Sequence, residues 1–273
     1  MRASCFLIFA FLGFSCSENE PTKPYHTFDL ASPQLGLTKT IWVYLPADYS
    51  SSDKRYPVIY SQDGQWLFTE AEGYSAEMHV DEHMRQLEAD GFEGAIVVGI
   101  GSDEATRGDE FALYESTTLE GGGKGLQYLQ FMTQTLKPYI DANYRTKTDR
   151  ANTMVMGASL GGLAVFFALT EFPDVFSKAA FFSPALHFNG DYVFAKAKKK
   201  EVRVDTRVYG IVGKNEFNEI VNFPEDSERL FDALGLYMPA EQLHFQIFDD
   251  GEHRIWFWDR EFPHAIEFLF GIK

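Results

Sequence analysis

Short apolar runs alternate with stretches of helical spacing along most of the chain. Thr40 to Leu45 and Val58 to Ser61 predict strands, and Ala76 to Ala89 predicts a helix. Ala95 to Ile100 is apolar throughout, as a strand covered on both faces must be. Leu126, Leu129, Met132, Leu136 and Ile140 fall on one helical face. Further strands are expected at Asn152 to Met156, Ala179 to Phe182, Arg207 to Val212 and His244 to Phe248. Leu160 to Thr170, Leu230 to Leu234 and Phe262 to Phe270 are expected on helices. Strand and helix repeated in this way predict an α/β fold, with a mostly parallel central sheet and helices on both faces. Sites in such sheets open beyond the carboxyl ends of the strands. No repeat or Pro/Gly/Ser-rich linker divides residues 25–273, which read as one domain. Residues 17–24 are polar with two prolines and read as a tether.

The N-terminus changes the setting. Residues 1–16 carry Arg2 and then an apolar run to Phe14, the layout of a secretory signal. Cys16 follows Gly13-Phe14-Ser15, which resembles a bacterial lipoprotein signal whose Cys becomes the lipidated first residue. Gly13 stands where a Leu is usual, so plain secretion is the alternative. Glu18 and Glu20 resemble the export signal of surface lipoproteins. The expectation is an exported envelope protein, in the outer membrane or periplasm, that meets a membrane only through a lipid anchor. Cys5 would leave with the signal, so no disulfide or Cys nucleophile is expected in the mature chain.

Composition narrows the partners. The 273 residues hold 40 acidic and 24 basic side chains, a formal charge of −16, which argues against nucleic acid. Hydrophobic residues at 45%, with 16% aromatic, supply a globular core and exclude a disordered chain.

The clearest chemical signal is Gly157-Ala158-Ser159-Leu160-Gly161, a G-x-S-x-G between a predicted strand and a predicted helix. A turn that sharp leaves no room for side chains beside the Ser, and it lifts the hydroxyl above the sheet. Ser159 is therefore the candidate nucleophile. It needs a base and a carboxylate to orient that base. His253 lies in a loop after the last strand, where the base belongs, with His187 as runner-up. Glu216, in the loop after Arg207 to Val212, is the candidate acid, with Asp249 and Asp250 as alternatives. For the oxyanion, the backbone N–H of Leu160 is expected to pair with that of Gly64 or Gln65, after the third strand.

Several runs together resemble the putative-esterase family of the α/β-hydrolase superfamily, also called the esterase D or enterochelin-esterase-like family. They are WVYLPADY, YPVIYSQDGQWLF, IVVGI with RGDEF, YLQFMTQTLKPYIDANYRT, MVMGASLGGLAVFFALTEFPDVFSKAAFFSP and GEHRIWFWDREFPHAIEFLF. The resemblance spans about residues 38–271 and implies carboxylic ester hydrolysis with Ser159 as nucleophile and His253 as base. It implies no metal or organic cofactor. Family substrates include trilactone siderophores, feruloyl and acetyl esters on polysaccharides, S-formylglutathione and trehalose mycolates. The chain departs from its relatives at Ile211, where an Asp is frequent. It also carries Glu252 and Arg254 around the base, where Gly and Asn are frequent. Some members work with a Ser-His dyad.

Other features compete for attention. His79-Val80-Asp81-Glu82-His83 spells H-x-x-E-H, which on one helix face could bind zinc, though no third ligand is evident. Trp66 and Phe68 could wall an acyl pocket or pack in the core, and Arg107 is expected either to pair with Glu110 or to touch substrate. The sequence thus predicts an envelope serine esterase acting on a siderophore-type or polysaccharide-linked ester. The competing reading is a glycan- or siderophore-binding lipoprotein that kept the fold without the chemistry.

Overall fold

The computed structural model describes residues 23–68, 77–116, 120–218 and 220–272. Its centre is an eight-stranded sheet. The strands are β1 Tyr25–Ser32, β2 Leu37–Tyr44, β3 Val58–Gln62, β4 Ile96–Ile100, β5 Thr153–Ala158, β6 Lys178–Phe182, β7 Arg207–Gly213 and β8 Leu243–Phe248, in the order β1-β2-β4-β3-β5-β6-β7-β8. β1 pairs antiparallel with β2, and β2 antiparallel with β4; every other pair is parallel. The helices are α1 Val80–Ala89, α2 Glu104–Phe111, α3 Gly125–Gln130, α4 Lys137–Asn143, α5 Leu160–Glu171, α6 Gly190–Lys198, α7 Phe223–Gly235 and α8 Ile255–Phe270. A π-helical segment, Phe131–Leu136, joins α3 to α4.

The central strands are apolar because both their faces are covered. In β3, Val58 and Tyr60 enter one core layer while Ile59 enters the other, and β4 divides Val98 from Val97 in the same way. The first layer packs under α3, α5, α6 and α7; the second packs under α1 and α8. Helix α5 is buried from Gly161 to Leu169, which explains why it is apolar on every side.

The predicted strands all appear, with ends shifted by one to three residues. β1, α2 and α6 are additional. β1 alternates exposed and covered positions at the sheet edge, so it lacks a continuous apolar run. α2 is only eight residues long and contains Gly108, and it starts where the Asp103 carboxylate accepts the Ala105 N–H. The last helix begins at Ile255, well before the predicted Phe262, and runs through Pro263. The expected signal, Cys16, and most of the tether lie outside the described residues.

Candidate active site

The strands β5, β6 and β7 end side by side, and the site stands on their carboxyl ends. Ser159 follows β5 directly with φ 55°. A non-glycine residue held there costs about 1–3 kcal/mol, so the surroundings must enforce it. They do so by close backbone contact. A Cβ at Gly157 would lie 2.5 Å from the backbone of Gly161, and one at Gly161 would lie 3.0 Å from Gln62. The turn is pinned from behind as well: Ser159 N–H donates to Phe182 O at 2.9 Å, and Ala185 N–H donates to Ser159 O at 2.9 Å.

His253 arrives on the loop between β8 and α8. Its Nε2 is 2.9 Å from Ser159 Oγ and its Nδ1 is 2.8 Å from Glu216 Oε2. Because Nδ1 faces a carboxylate, that nitrogen carries the hydrogen and donates, which leaves the Nε2 lone pair to accept the serine proton. Glu216 stands just past β7 with its side chain almost fully buried, while the imidazole is about one-third exposed. The other carboxylate oxygen, Oε1, accepts from Gly213 N–H at 2.8 Å and from Ser183 Oγ at 2.9 Å. Phe223, the first residue of α7, lies 4.4 Å from the His253 ring, centroid to centroid, and Trp258 of α8 meets it edge-on at 5.2 Å. The imidazole thus has fixed walls as well as fixed partners. A cleft of about 500 Å³ opens between Glu216, Phe217, Phe223, Asp250 and His253.

The alternatives raised by the sequence fall elsewhere. Asp249 pairs with Lys214 at 2.7 Å and Asp250 with Arg260 at 2.6 Å, so both carboxylates turn to basic partners. His187 meets the ring of Phe223 edge-on at 5.0 Å, and among the described residues no hydrogen bond joins it to Ser159. Burial, and then the nearby His253, push its pKa down to about 4, so it stands neutral at physiological pH.

The loop after β3 meets the elbow through Gln62 and Asp63, which is in left-handed conformation with φ 56°. Leu160 opens α5, so its amide has no acceptor four residues back in the helix. Gly64 packs on Gly99 and Ile100 of β4, and a Cβ there would lie 2.6 Å from the Gly99 backbone. The Gln65 side chain bonds Ser102 at 2.8 Å. Arg107 does not pair with Glu110. It grips both oxygens of Asp63 at 2.8 Å and reaches Ala158 O at 3.3 Å, tying the loop to the residue before Ser159. Its guanidinium lies over the Trp66 ring at 5.1 Å. Glu110 is buried against Lys39 instead. Phe68 is buried and stacks on Tyr25 at 4.9 Å, a core position.

The H-x-x-E-H stretch is not one helical face. His79 precedes α1 with φ 38°, and both imidazoles turn to one oxygen of Asp259, at 3.2 Å from His79 and 2.8 Å from His83. Among the described residues, no three His, Cys, Asp or Glu side chains are gathered as a metal ion would need.

Sequence reasoning did not single out Asp63, Ser183, Phe223 or Trp258. Ser183 precedes Pro184, which favours extended backbone and so gives no hint of the φ of 44° found there. Nothing local marks the rest.

Comparison with known proteins agrees with this architecture. The model of the family described as Putative esterase matches residues 32–229. Ferri-bacillibactin esterase BesA of Bacillus subtilis is 30% identical over 161 residues, which are 52% of this chain and 52% of that protein. The enterobactin esterase FES from Shigella flexneri superposes with a TM-score of 0.74 at 18% identity, covering 92% of this chain and 60% of that one. A ferulic acid esterase superposes at 0.68 with 19% identity, covering 91% and 98%. At these identities the structural likeness establishes the α/β-hydrolase fold, and the family match, which spans well over half of the chain, establishes descent. This chain belongs to the Putative esterase family and is a carboxylic ester hydrolase.

Proposed function

We propose that the chain hydrolyses its ester through an acyl-enzyme on Ser159. The observation that carries this reading is the continuous hydrogen-bonded line from Ser159 Oγ through the His253 ring to Glu216, spaced at 2.9 and 2.8 Å. His253 Nε2 takes the serine proton as Oγ bonds to the ester carbonyl carbon. The carbonyl oxygen becomes an oxyanion, held by the Leu160 N–H and by the backbone N–H of Gly64 or Gln65 in the loop after β3. When the tetrahedral species collapses, the carbon–alkoxide bond breaks and Nε2–H delivers its proton to the leaving oxygen. Water then adds to the acyl carbon and gives its proton to His253. The acid leaves, and Ser159 recovers the proton. Glu216 faces the imidazolium in both halves.

For the substrate, the reading is a siderophore-type or a polysaccharide-linked feruloyl or acetyl ester. BesA is by name a ferri-bacillibactin esterase and FES an enterobactin esterase, and a third relative is a ferulic acid esterase. Siderophore-type and feruloyl esters carry an aromatic ring on the acyl side, which suits an open cleft with Phe217 and Phe223 on its wall, whereas an acetyl ester would leave that wall unused. The cell envelope, with Cys16 as lipid anchor, remains the proposed location. No helix among the described residues is long and apolar enough to cross a membrane. Ser159→Ala is expected to abolish p-nitrophenyl acetate hydrolysis and fluorophosphonate labelling while leaving the thermal midpoint near wild type. Retained turnover in that variant overturns the acyl-enzyme. A turnover panel of a siderophore trilactone, a feruloyl ester and an acetylated xylan then ranks the substrates, and intact mass of membrane-extracted protein reads lipidation at Cys16.

A further inference from the structure

A glutamate on a loop can rotate, and only one of its rotamers presents a carboxylate oxygen to His253. The geometry points to Ser183 and Trp258 as positioning residues that hold Glu216 in that rotamer, an assignment that rests on the acyl-enzyme reading of Ser159. Ser183 Oγ lies 2.9 Å from Glu216 Oε1, and Trp258 Nε1 lies 3.1 Å from Ser183 Oγ. The direction of this chain is forced. An indole N–H can only donate, so it occupies a lone pair of the serine hydroxyl. The single hydroxyl hydrogen is then left for the carboxylate, which can only accept. Trp258 donates to Ser183, Ser183 donates to Glu216, and Glu216 accepts from His253, which faces Ser159.

Two further observations set Ser183 apart from a residue that merely packs. It is fully buried and has φ 44°, a region that favours glycine and costs other residues about 1–3 kcal/mol. A glycine would relieve that cost, so the hydroxyl is what serine adds at this position. The residue also sits between two catalytic supports. Its N–H donates to Ile211 O of β7 at 2.8 Å, and two residues later Ala185 N–H holds Ser159 O. Trp258 has a matching double role, because the ring whose N–H holds Ser183 also stands edge-on against His253 at 5.2 Å. One side chain of α8 therefore fixes the base by contact and the acid by a two-bond relay. Supporting hydrogen bonds of this kind orient the group that does the chemistry.

The test separates orientation from stability. Ser183→Gly removes the hydroxyl and the backbone strain together. The thermal midpoint is expected to stay level or rise, while kcat on p-nitrophenyl acetate falls roughly 10-fold or more and KM changes less than about 2-fold. Trp258→Phe keeps the ring on His253 and loses the N–H, and should give a smaller fall in kcat. The double variant should be no slower than Ser183→Gly alone, because the indole acts through the serine. The rate of fluorophosphonate labelling should follow kcat in all three. Ser183→Ala, which keeps the backbone strain, serves if the glycine variant does not fold. Wild-type kcat and labelling in Ser183→Gly or Ser183→Ala would overturn the assignment, as would additive losses in the double variant. Failure of the underlying reading looks different: Ser159→Ala would keep its activity.

Discussion

Replacing Arg107 with Met removes the clamp between the loop after β3 and the Ser159 turn while keeping the aliphatic stem. In the wild-type protein the Asp63 side chain is only 3% exposed and that of Arg107 13%, so solvent screens the pair little. Asp63 accepts two guanidinium bonds at 2.8 Å, and its remaining side-chain partner is the Ser102 hydroxyl. Removing one member of a buried pair strands the other charge, which typically costs about 3–5 kcal/mol. For a chain of this size each kcal/mol lowers the thermal midpoint by roughly 2–4 °C, so a fall of about 6–12 °C is expected at the low end. Asp63→Asn combined with Arg107→Met leaves a neutral amide rather than a carboxylate, and should cost less than Arg107→Met alone. Because Arg107 also donates to Ala158 O, the single variant should show a lower kcat at temperatures where it is folded. Urea denaturation of the three variants, with kcat measured well below the transition, gives both readouts. A loss below about 1 kcal/mol in Arg107→Met, with kcat unchanged, would refute the clamp and return Arg107 to the exposed ion pairs that contribute little.

Two other outcomes follow from the geometry. Glu216→Gln can present its amide N–H to Nδ1, which favours the tautomer whose Nε2 cannot accept the serine proton; kcat should fall roughly 10⁴-fold with little change in KM, and a drop under about 5-fold would point to a dyad. Burial lowers the pKa of His79, but Asp259, Glu77 and Glu82 outweigh it and the net shift is upward from 6.5. That stabilisation is complete below the unfolded value and is lost as pH rises through the higher folded one. The urea midpoint of wild type should therefore decline relative to His79→Ala from about pH 6 to pH 8, and parallel curves would dismiss the contact with Asp259 as a stabilising one.

Much of the architecture was readable from apolar pattern alone. Ile96 to Ile100 and Thr153 to Ala158 must be covered on two faces, and only a sheet between helix layers covers them. Ser159 was legible for a related reason. The turn it needs excludes side chains locally, so the glycines of the motif record the constraint in adjacent positions. Glu216 and His253 were legible as residues in the loops that reach Ser159, since chain order restricts which carboxylate and imidazole can follow a G-x-S-x-G serine.

Choosing among candidates needed three dimensions. Asp249 and Asp250 lie closer to His253 along the chain than Glu216 does, yet their oxygens turn to Lys214 and Arg260. Arg107 and Glu110 share α2 but face different partners, Asp63 in the loop after β3 and Lys39 on β2. His79 and His83 match a metal motif in sequence, but both imidazoles turn to one oxygen of Asp259. Local sequence dictated the strands, the sharp turn and the types of group on each loop, because those depend on sterics and burial within a few residues. The tertiary structure decided which carboxylate meets the imidazole and what holds it there, because Ser183, Glu216 and Trp258 meet only after β6, β7 and α8 have packed side by side.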